Sequence, residues 1–540
     1  MDRVAGADES YLLAERLFGW SAPIQYAWIF GAVPEEKALA AFGDQLGSGL
    51  LSRKVVDAVV PFARDRWVRS PHPPFLRIDP TPIADSEVGA WTDRVLRTAD
   101  LDPAAGKGWQ LVGVATTSGK FALSLLISHM VADGHGLYNA LAAAHTGTSS
   151  SSLRRAEDLG WRTRVLGDLR DSVGQLAEAA TASRVVATEL WRQRRAGKSK
   201  PTASANPEPP SAVVSHTGAA ASTDVDVTSS RHIAAQADRG AAVPAAEGVT
   251  VSSDVGGSSL PGTDVTVSSH TNTTVPPHAD YAPPSDPSVD RQSDRTAGAR
   301  SHADSGAASS AADPDTTLAI VDVDRGQWVA RAQEFGGTGN SLFTAVLGGI
   351  VHRCGYSVGA EGLRVCMAVS KRAEGDERAN ASGGVWIRVP GEISPEKGLG
   401  GIRALSKQAL RDYESAGKDK LADNLQPVVR LLPKPLIRKL MLSVAGPDTT
   451  VSNLGAAPES ALHVGGLRAE SFAIRAIMQG RSGVERRRQG PAIAAWAVEY
   501  DNKITITFFG IDPDHFGESE RLRKTIDAEL DRWGLSATPW

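Results

Sequence analysis

Residues 121–141, FALSLLISHMVADGHGLYNAL, join a largely apolar segment to two histidines, an aspartate and two glycines. Residues 121–127 have the length and composition of a buried strand, and the turn-like sequence TSGK at 117–120 precedes them. The apolar segment 109–116 before that turn predicts the hairpin partner of the strand. Residues 135–144 predict a helix, so the stretch is expected to fold as strand, loop and helix.

Three polar positions of this stretch predict a functional site. His129 follows the strand, and Asp133 and Gly134 come four and five residues later. Loops that follow strands often carry catalytic groups, and a neutral imidazole, with an unperturbed pKa of about 6.5, accepts a proton near neutral pH. His129 is therefore a candidate general base. A core histidine beside a helix-capping aspartate explains the same short pattern.

The sequence from His129 to Gly134, HMVADG, resembles the HxxxDG motif of the CoA-dependent acyltransferase superfamily. Several members carry a second histidine directly before the catalytic one, whereas this chain has Ser128, which fits the single-histidine branches better than peptide-synthetase condensation domains. Residues 363–372 (LRVCMAVSKR), 381–390 (ASGGVWIRVP) and 449–455 (TTVSNLG) resemble second-lobe segments. The likeness is nearest to polyketide-associated acyltransferases and wax ester synthase/diacylglycerol acyltransferases.

This resemblance implies an α/β fold of two chloramphenicol-acetyltransferase-like lobes, each a mixed sheet with helices, and an active-site tunnel between them. His129 would be the general base. Asp133 and Gly134 would be structural, with Arg372 as the candidate ion-pair partner of Asp133. The segment Ser452-Asn453 would contact the oxyanion or the acceptor, and an ordinary asparagine turn explains that pair equally well.

Composition divides the chain into three zones. Residues 1–196 and 316–540 carry the apolar patterns of helices and strands, and we interpret them as an N-terminal lobe with HxxxDG and a C-terminal lobe. Residues 197–315 are rich in Ser, Thr, Ala, Gly, Pro and Asp, and large apolar residues nearly vanish there. Such a segment buries too little apolar surface to offset its ordering entropy, which predicts a disordered insertion.

Charge and cysteine content restrict the class of protein. The net charge of −4 over 540 residues gives no indication of a nucleic-acid partner. Cys354 and Cys366 do not form a disulfide framework, which favours a reducing compartment. The N-terminus lacks a signal-peptide pattern, and no apolar run is long enough to span a membrane. We expect a cytoplasmic monomer, with peripheral membrane contact left open.

Two basic segments bear on partners. Residues 481–488, RSGVERRR, are candidates for binding CoA phosphates or an acidic carrier protein, with a solvated loop as the alternative. The basic and apolar helix predicted at 435–444 is a candidate for contact with a membrane surface, with an ordinary amphipathic helix as the alternative. Because CxxC, HExxH and Walker A patterns are absent from the sequence, neither a metal nor a nucleotide cofactor is expected.

The predicted reaction is acyl transfer from a thioester, on CoA or on an acyl-carrier protein, to a hydroxyl of a lipid or polyketide-like acceptor. No G-x-S-x-G nucleophile pattern follows a strand, so direct transfer without a covalent intermediate is expected. Two alternatives stay open. One is a condensation domain that forms amides on an amine acceptor, and the other is a catalytically silent binding protein of the same fold.

Overall fold

The computed structural model describes residues 3–71, 75–196, 315–373, 375–415 and 427–540. The disordered insertion predicted at 197–315 lies outside the described residues, apart from Asp315. The α-helices are α1 (Ala7–Phe18), α2 (Glu36–Ser48), α3 (Val88–Arg97), α4 (Gly134–Thr146), α5 (Trp161–Ala196), α6 (Arg325–Glu334), α7 (Gly339–Arg353), α8 (Gly400–Ser415), α9 (Lys434–Ser443), α10 (Glu459–Leu462), α11 (Gly483–Arg488), α12 (Pro513–Phe516) and α13 (Ser519–Arg532).

Strands of both halves of the chain form two large sheets. The strands are β1 (Pro23–Phe30), β2 (Arg53–Val56), β3 (Arg66–Arg69), β4 (Leu76–Ile83), β5 (Trp109–Thr116), β6 (Phe121–Ser128), β7 (Thr317–Asp324), β8 (Leu363–Ser370), β9 (Ser382–Val389), β10 (Thr449–Ala456), β11 (His463–Val464), β12 (Leu467–Ala476), β13 (Ile493–Tyr500), β14 (Lys503–Gly510) and β15 (Ala537–Pro539). One sheet has the order β11-β12-β1-β6-β5-β4, and the other has the order β15-β7-β14-β13-β10-β8-β9. Each sheet contains parallel and antiparallel pairs, so the predicted pair of mixed sheets with helices is confirmed.

The central strand of the first sheet is β6, and every residue of it is buried. It pairs antiparallel with β1 on one side and with β5 on the other. Both of its faces are covered, which explains why its sequence is mostly apolar at successive positions rather than alternating, with the buried Ser124 as the polar residue within the run. The predicted hairpin of β5 and β6 is therefore confirmed, and it places His129 directly after a buried strand end.

The first sheet is completed by a strand from the far end of the chain. Strand β12 pairs antiparallel with β1, with Ile24 opposite Ala476. The rings of Trp28 and Phe472 stack at 5.6 Å across this pair, and the buried Arg475 donates to Gln25 at 2.7 Å. The sequence prediction assigned all of 316–540 to the C-terminal lobe. Strands β11 and β12 depart from that assignment. They belong to the first sheet, whose other four strands come from the N-terminal half of the chain.

Three local features depend on contacts that the sequence pattern alone does not show. Residues 53–68, whose alternation was ambiguous, form the antiparallel hairpin of β2 and β3. Gly174 does not interrupt α5, since one glycine in a helix costs only about 1 kcal/mol. The side chain of Thr338, and not that of Ser341, caps α7, because its hydroxyl accepts from the Ser341 amide. Helix α7 packs against the second sheet with residues 341–351 all buried.

Candidate active site

His129 lies in the short loop between β6 and α4. Its backbone N–H donates to the Ala22 carbonyl at 2.8 Å, and the Val131 N–H donates to the Ser128 carbonyl at 2.8 Å, which closes the turn. The imidazole stacks on the ring of Tyr11 in α1, with ring centroids 4.5 Å apart and an interplanar angle of 22°. These contacts fix both the backbone and the plane of the ring.

One side of the imidazole is held by Asn380, from the loop between β8 and β9. His129 Nδ1 lies 3.0 Å from Asn380 Oδ1. The Asn380 amide nitrogen donates to Asp8 Oδ1 at 2.9 Å and to the His129 carbonyl at 2.7 Å. Because both of these partners are acceptors, the amide oxygen must face the imidazole, and Nδ1 must carry the proton. In the neutral ring, Nε2 therefore carries the lone pair.

The environment of His129 favours its neutral form. Burial lowers the pKa of the imidazole, because the charged form loses hydration. The negative charge of Asp133 and the hydrogen bond to Asn380 act in the opposite direction without reversing the shift. The ring is consequently a proton acceptor at neutral pH and remains one in mildly acidic solution.

Asp133 caps α4 and is fully satisfied by donors. One carboxylate oxygen accepts from the Gly136 N–H at 2.7 Å and from Arg372 Nη2 at 2.9 Å. The other accepts from the Ala381 N–H at 2.7 Å and the Ser382 hydroxyl at 2.8 Å. Burial alone would raise the pKa of this carboxyl, but the Arg372 charge and these donors lower it. The predicted ion pair with Arg372 is present, and all four contacts of the carboxylate are with donors of the protein itself.

Arg372 shapes the loop that carries Asn380. Its guanidinium is almost fully buried, and it reaches three backbone carbonyls of the same loop besides Asp133. These acceptors are the carbonyl oxygens of Asp376, Arg378 and Ala379, at 2.8 to 3.0 Å. The loop is thus curled around one cation and fastened to the N-terminal half by Asp133. That fastening delivers Asn380 to His129.

Gly134 of the motif and Gly136, two residues beyond it, permit close packing at this junction. A Cβ on Gly134 would lie 2.6 Å from Leu454 Cδ2, and a Cβ on Gly136 would lie 2.8 Å from Arg372 Nη2. The Gly134 carbonyl also accepts from the Tyr26 hydroxyl at 2.7 Å. The absence of a side chain at Gly134 therefore lets the start of α4 lie close to the side chain of Leu454, near the end of β10.

The Ser452-Asn453 segment lies on β10, and its two side chains point to opposite faces. Asn453 donates to Asn340 Oδ1 at 2.6 Å and accepts from the Gly455 N–H at 2.9 Å, so its amide is engaged within the C-terminal half. Leu454 packs in the core that surrounds β6. Side chains alternate along a strand, so Ser452 shares the face of Leu454. Of the two predicted contacts, Ser452 is on the side of the His129 loop.

Sequence reasoning missed Asp8, Tyr11 and Asn380. Asp8 is buried, accepts from Asn380 and from Trp67 Nε1, and lies more than a hundred residues from His129 in sequence. Burial raises its pKa to about 6, although the hydrogen bond from Asn380 and the charge of Arg53 oppose the shift. No local motif surrounds these three residues, so only the tertiary fold reveals that they adjoin the histidine.

The two basic segments make contacts within the protein. Arg481 stacks over Trp20 at 4.8 Å, Arg486 is buried and donates to the Arg481 carbonyl, and Arg487 pairs with Asp514 at 2.8 Å. Three of the four arginines in residues 481–488 thus support structure. In α9, the guanidinium of Arg438 lies over the ring of Phe18.

Cys366 and Cys354 are poor nucleophiles because burial raises the pKa of both thiols, that of Cys366 to about 12. Within the described part of the chain, no group of three or more His, Cys, Asp or Glu side chains is arranged to hold a metal ion. Over the same residues, no helix has the combined length and apolar character that crossing a membrane requires.

Comparison with known proteins finds similarity in structure alone. No family model matches the sequence, and no curated protein matches it. The wax ester synthase/diacylglycerol acyltransferase from Marinobacter aquaeolei VT8 is 11% identical, with 98% of each chain covered and a TM-score of 0.47. The condensation domain of the Monacolin K polyketide synthase MokA is 12% identical, with 99% of this chain and 96% of that chain covered and a TM-score of 0.48. The first condensation domain of the CDA synthetase is 12% identical, with 99% of each chain covered and a TM-score of 0.48.

Proposed function

We propose that the protein is an acyltransferase that moves an acyl group from a thioester to a hydroxyl acceptor, with His129 as the general base. The observation that carries this proposal is the orientation of the imidazole. Asn380 accepts from Nδ1 at 3.0 Å, and its own amide is held by Asp8 and by the His129 backbone. A ring fixed in this tautomer leaves Nε2 as the basic atom, which is what a general base requires.

In the proposed reaction, Nε2 takes the proton of the acceptor hydroxyl while the hydroxyl oxygen attacks the thioester carbonyl. The new C–O bond gives a tetrahedral oxyanion. Its collapse breaks the C–S bond, and the imidazolium returns the proton to the sulfur of the leaving thiol. Because a thiol has a pKa of about 8.5, the thiolate leaves with little assistance from an acid. No covalent bond to the protein is needed.

The surrounding residues support this role without entering the chemistry. The Asp133 carboxylate is occupied by four donors, so it positions the loop and has no proton to transfer. Its charge also stabilises the imidazolium that forms during the reaction. Ser452, on the face of β10 that is turned toward the His129 loop, is our candidate donor to the oxyanion.

The acceptor and the thiol carrier are assigned by class only. An amine acceptor would use the same base, so amide formation is the alternative reaction on this site. The donor is an acyl-CoA or an acyl-carrier protein. A screen of purified protein with acyl-CoAs of different chain length, hydroxyl and amine acceptors, and mass detection of the product separates ester from amide formation.

The test of the base is His129→Ala. We expect the rate of acyl transfer to fall by about 10² to 10⁴, the usual contribution of a positioned general base. His145→Ala, at the exposed end of α4, is the matched control and should retain the parental rate. In the parent, the rate should fall on acidification with an apparent pKa below the ordinary value of histidine, because burial lowers the pKa of His129. Equal rates in the His129 variant and the parent would refute the assignment.

A further inference from the structure

Helix α5 has its polar and apolar sides in the reverse of the usual arrangement. In its N-terminal half the most buried positions are polar, and Asp168 and Gln175 are each 1% exposed, whereas the buried positions further along are Ala179 and Ala182. Asp168 pairs with Arg3 and Arg66, and the Ser172 hydroxyl donates to the Pro61 carbonyl. In a helix that packs only on its own protein, the buried side is expected to be the apolar one.

The side of α5 that faces solvent is apolar. Leu166 and Val173 are 66% and 67% exposed, and Leu169 and Leu176 are exposed as well. Their spacing of three, four and three residues places all four on one side of a helix. Trp161 and Trp191, toward the two ends of α5, are also exposed. We call the exposed side chains of Leu166, Leu169, Val173 and Leu176 the outer face.

Only positive charges flank the outer face among the described side chains of α5. At about 100° per residue, Arg162, Arg170 and Arg184 fall within or beside it, and all three are exposed. The carboxylates of Asp168, Asp171 and Glu178 fall on the other sides of the helix. The first two of these are engaged by Arg66 and Arg64. The outer face therefore combines branched apolar side chains with arginines of the same helix.

We propose that the outer face of α5 docks on an anionic lipid surface. A helix that lies in a membrane interface inserts its apolar side chains below the headgroups and places arginines at the level of the phosphates. Tryptophans at both ends suit the same boundary, because the indole is apolar with one polar N–H. The four side chains of the outer face span residues 166–176, or about 15 Å along the helix axis.

Two other occupants fit these observations less well. A second copy of the chain would bring the arginines of two outer faces together with no carboxylate to oppose them. Residues 197–314, which follow α5 in sequence, contain no Phe, Trp or Met, and their twelve valines are dispersed among polar and small residues, so no long apolar run there matches the outer face. Charge complementarity thus selects an anionic lipid surface.

The test is co-sedimentation of the full chain with vesicles of phosphatidylcholine and phosphatidylglycerol at 3:1. We expect binding that is weak on pure phosphatidylcholine and that decreases in 0.5 M salt, because arginine–phosphate attraction is screened. The double variant Leu166→Ser/Val173→Ser should lose at least about tenfold in apparent affinity, since two of the four inserted side chains become polar. Val33→Ser/Val484→Ser, two exposed valines elsewhere, should bind like the parent.

Charge reversal tests the second half of the proposal. Arg170→Glu/Arg184→Glu should abolish the preference for phosphatidylglycerol, whereas Arg403→Glu/Arg411→Glu on α8 changes the net charge equally and should preserve it. Absence of vesicle binding by the parent would overturn the proposal, as would equal loss in both charge variants. A parent that is dimeric by light scattering, and monomeric after Leu166→Ser/Val173→Ser, would assign the outer face to a second copy instead.

Discussion

Two buried aspartates fasten the loop between β8 and β9 to the N-terminal half of the protein, and their pKa values are shifted in opposite directions. Asp133 meets a guanidinium and three further donors, and its pKa is lowered. Asp8 accepts from Asn380 and Trp67, and burial raises its pKa to about 6 even though the charge of Arg53 acts in the opposite direction. Burial alone therefore does not decide the charge of a carboxyl, because the number and charge of its donors decide it.

The difference assigns the two residues to different tasks. Asp133 carries a permanent charge that holds Arg372 and, through it, the curl of the loop. Asp8 orients the Asn380 amide, and Asn380 in turn orients the imidazole of His129. We infer that the first aspartate matters mainly for folding and the second mainly for the reactive tautomer.

Asp133→Ala should have the largest effect on stability. The variant leaves the Arg372 charge buried with no counterion, and breaking a buried pair in this way costs about 3–5 kcal/mol. Chemical denaturation measures the change in the free energy of unfolding. Asp514→Ala, which removes the exposed partner of Arg487, is the control and should leave the midpoint close to that of the parent. An Asp133 variant that unfolds like the parent but is inactive would place Asp133 in the chemistry.

Asn380→Leu should mainly reduce the rate. The variant keeps the side-chain volume but removes the acceptor for Nδ1–H, so neither the tautomer nor the ring orientation is fixed. We expect acyl transfer to fall by about 10- to 100-fold, as for other residues that orient a functional histidine. Asn340→Leu, which removes the side-chain amide contact between α7 and β10, is the control.

The pH profile distinguishes this positioning role from simple loss of packing. The hydrogen bond from Asn380 raises the pKa of His129, so its removal should shift the acid limb of the rate profile to lower pH. A parallel loss of rate at all pH values, with an unshifted acid limb, would contradict the positioning role.

Asp8→Asn should have the smallest effect, and it should depend on pH. The pKa of Asp8 is about 6 in the folded protein and about 3.9 in an unfolded chain. Between these values the folded state binds more protons, so this group makes stability fall as the pH rises through that window. The variant lacks this titration. Its free energy of unfolding relative to the parent should therefore be higher at pH 7.5 than at pH 4.5, by about 1–3 kcal/mol. An equal difference at both pH values would show that Asp8 does not titrate in this range.

The sequence predicted the strand, loop and helix around His129 because every contact that defines them is local. Apolar length, turn residues and a capping aspartate are readable within twenty residues. The pairing of Asp133 with Arg372 was also predicted, through a motif resemblance rather than through spacing. Asp8 and Asn380 could not be predicted, because their proximity to His129 depends on α1 and on the loop after β8 meeting at one point.

The reversed polarity of α5 was also not predicted. Its apolar residues have helical spacing, and that spacing alone predicts a helix without showing which side is covered. Only the ion pairs of Asp168 and Asp171 with Arg66 and Arg64 show that the polar side faces inward. For Ser452 and Asn453, the sequence predicted the strand but not the side of the sheet to which each side chain points. That direction depends on the pairing of β10 with β8 and β13.

The insertion of β12 beside β1 has a consequence for biosynthesis. Ile24 can pair with Ala476 only after more than four hundred further residues have been synthesised, so until then β1 has no partner on its β12 side. At a translation rate of about 5–20 residues per second, the wait is roughly 20–90 s. During that time a nascent chain presents β1, with Trp28 and Tyr26, as an open apolar edge. The ribosome-bound chain thus keeps this edge of the sheet unpaired until residues 467–476 emerge.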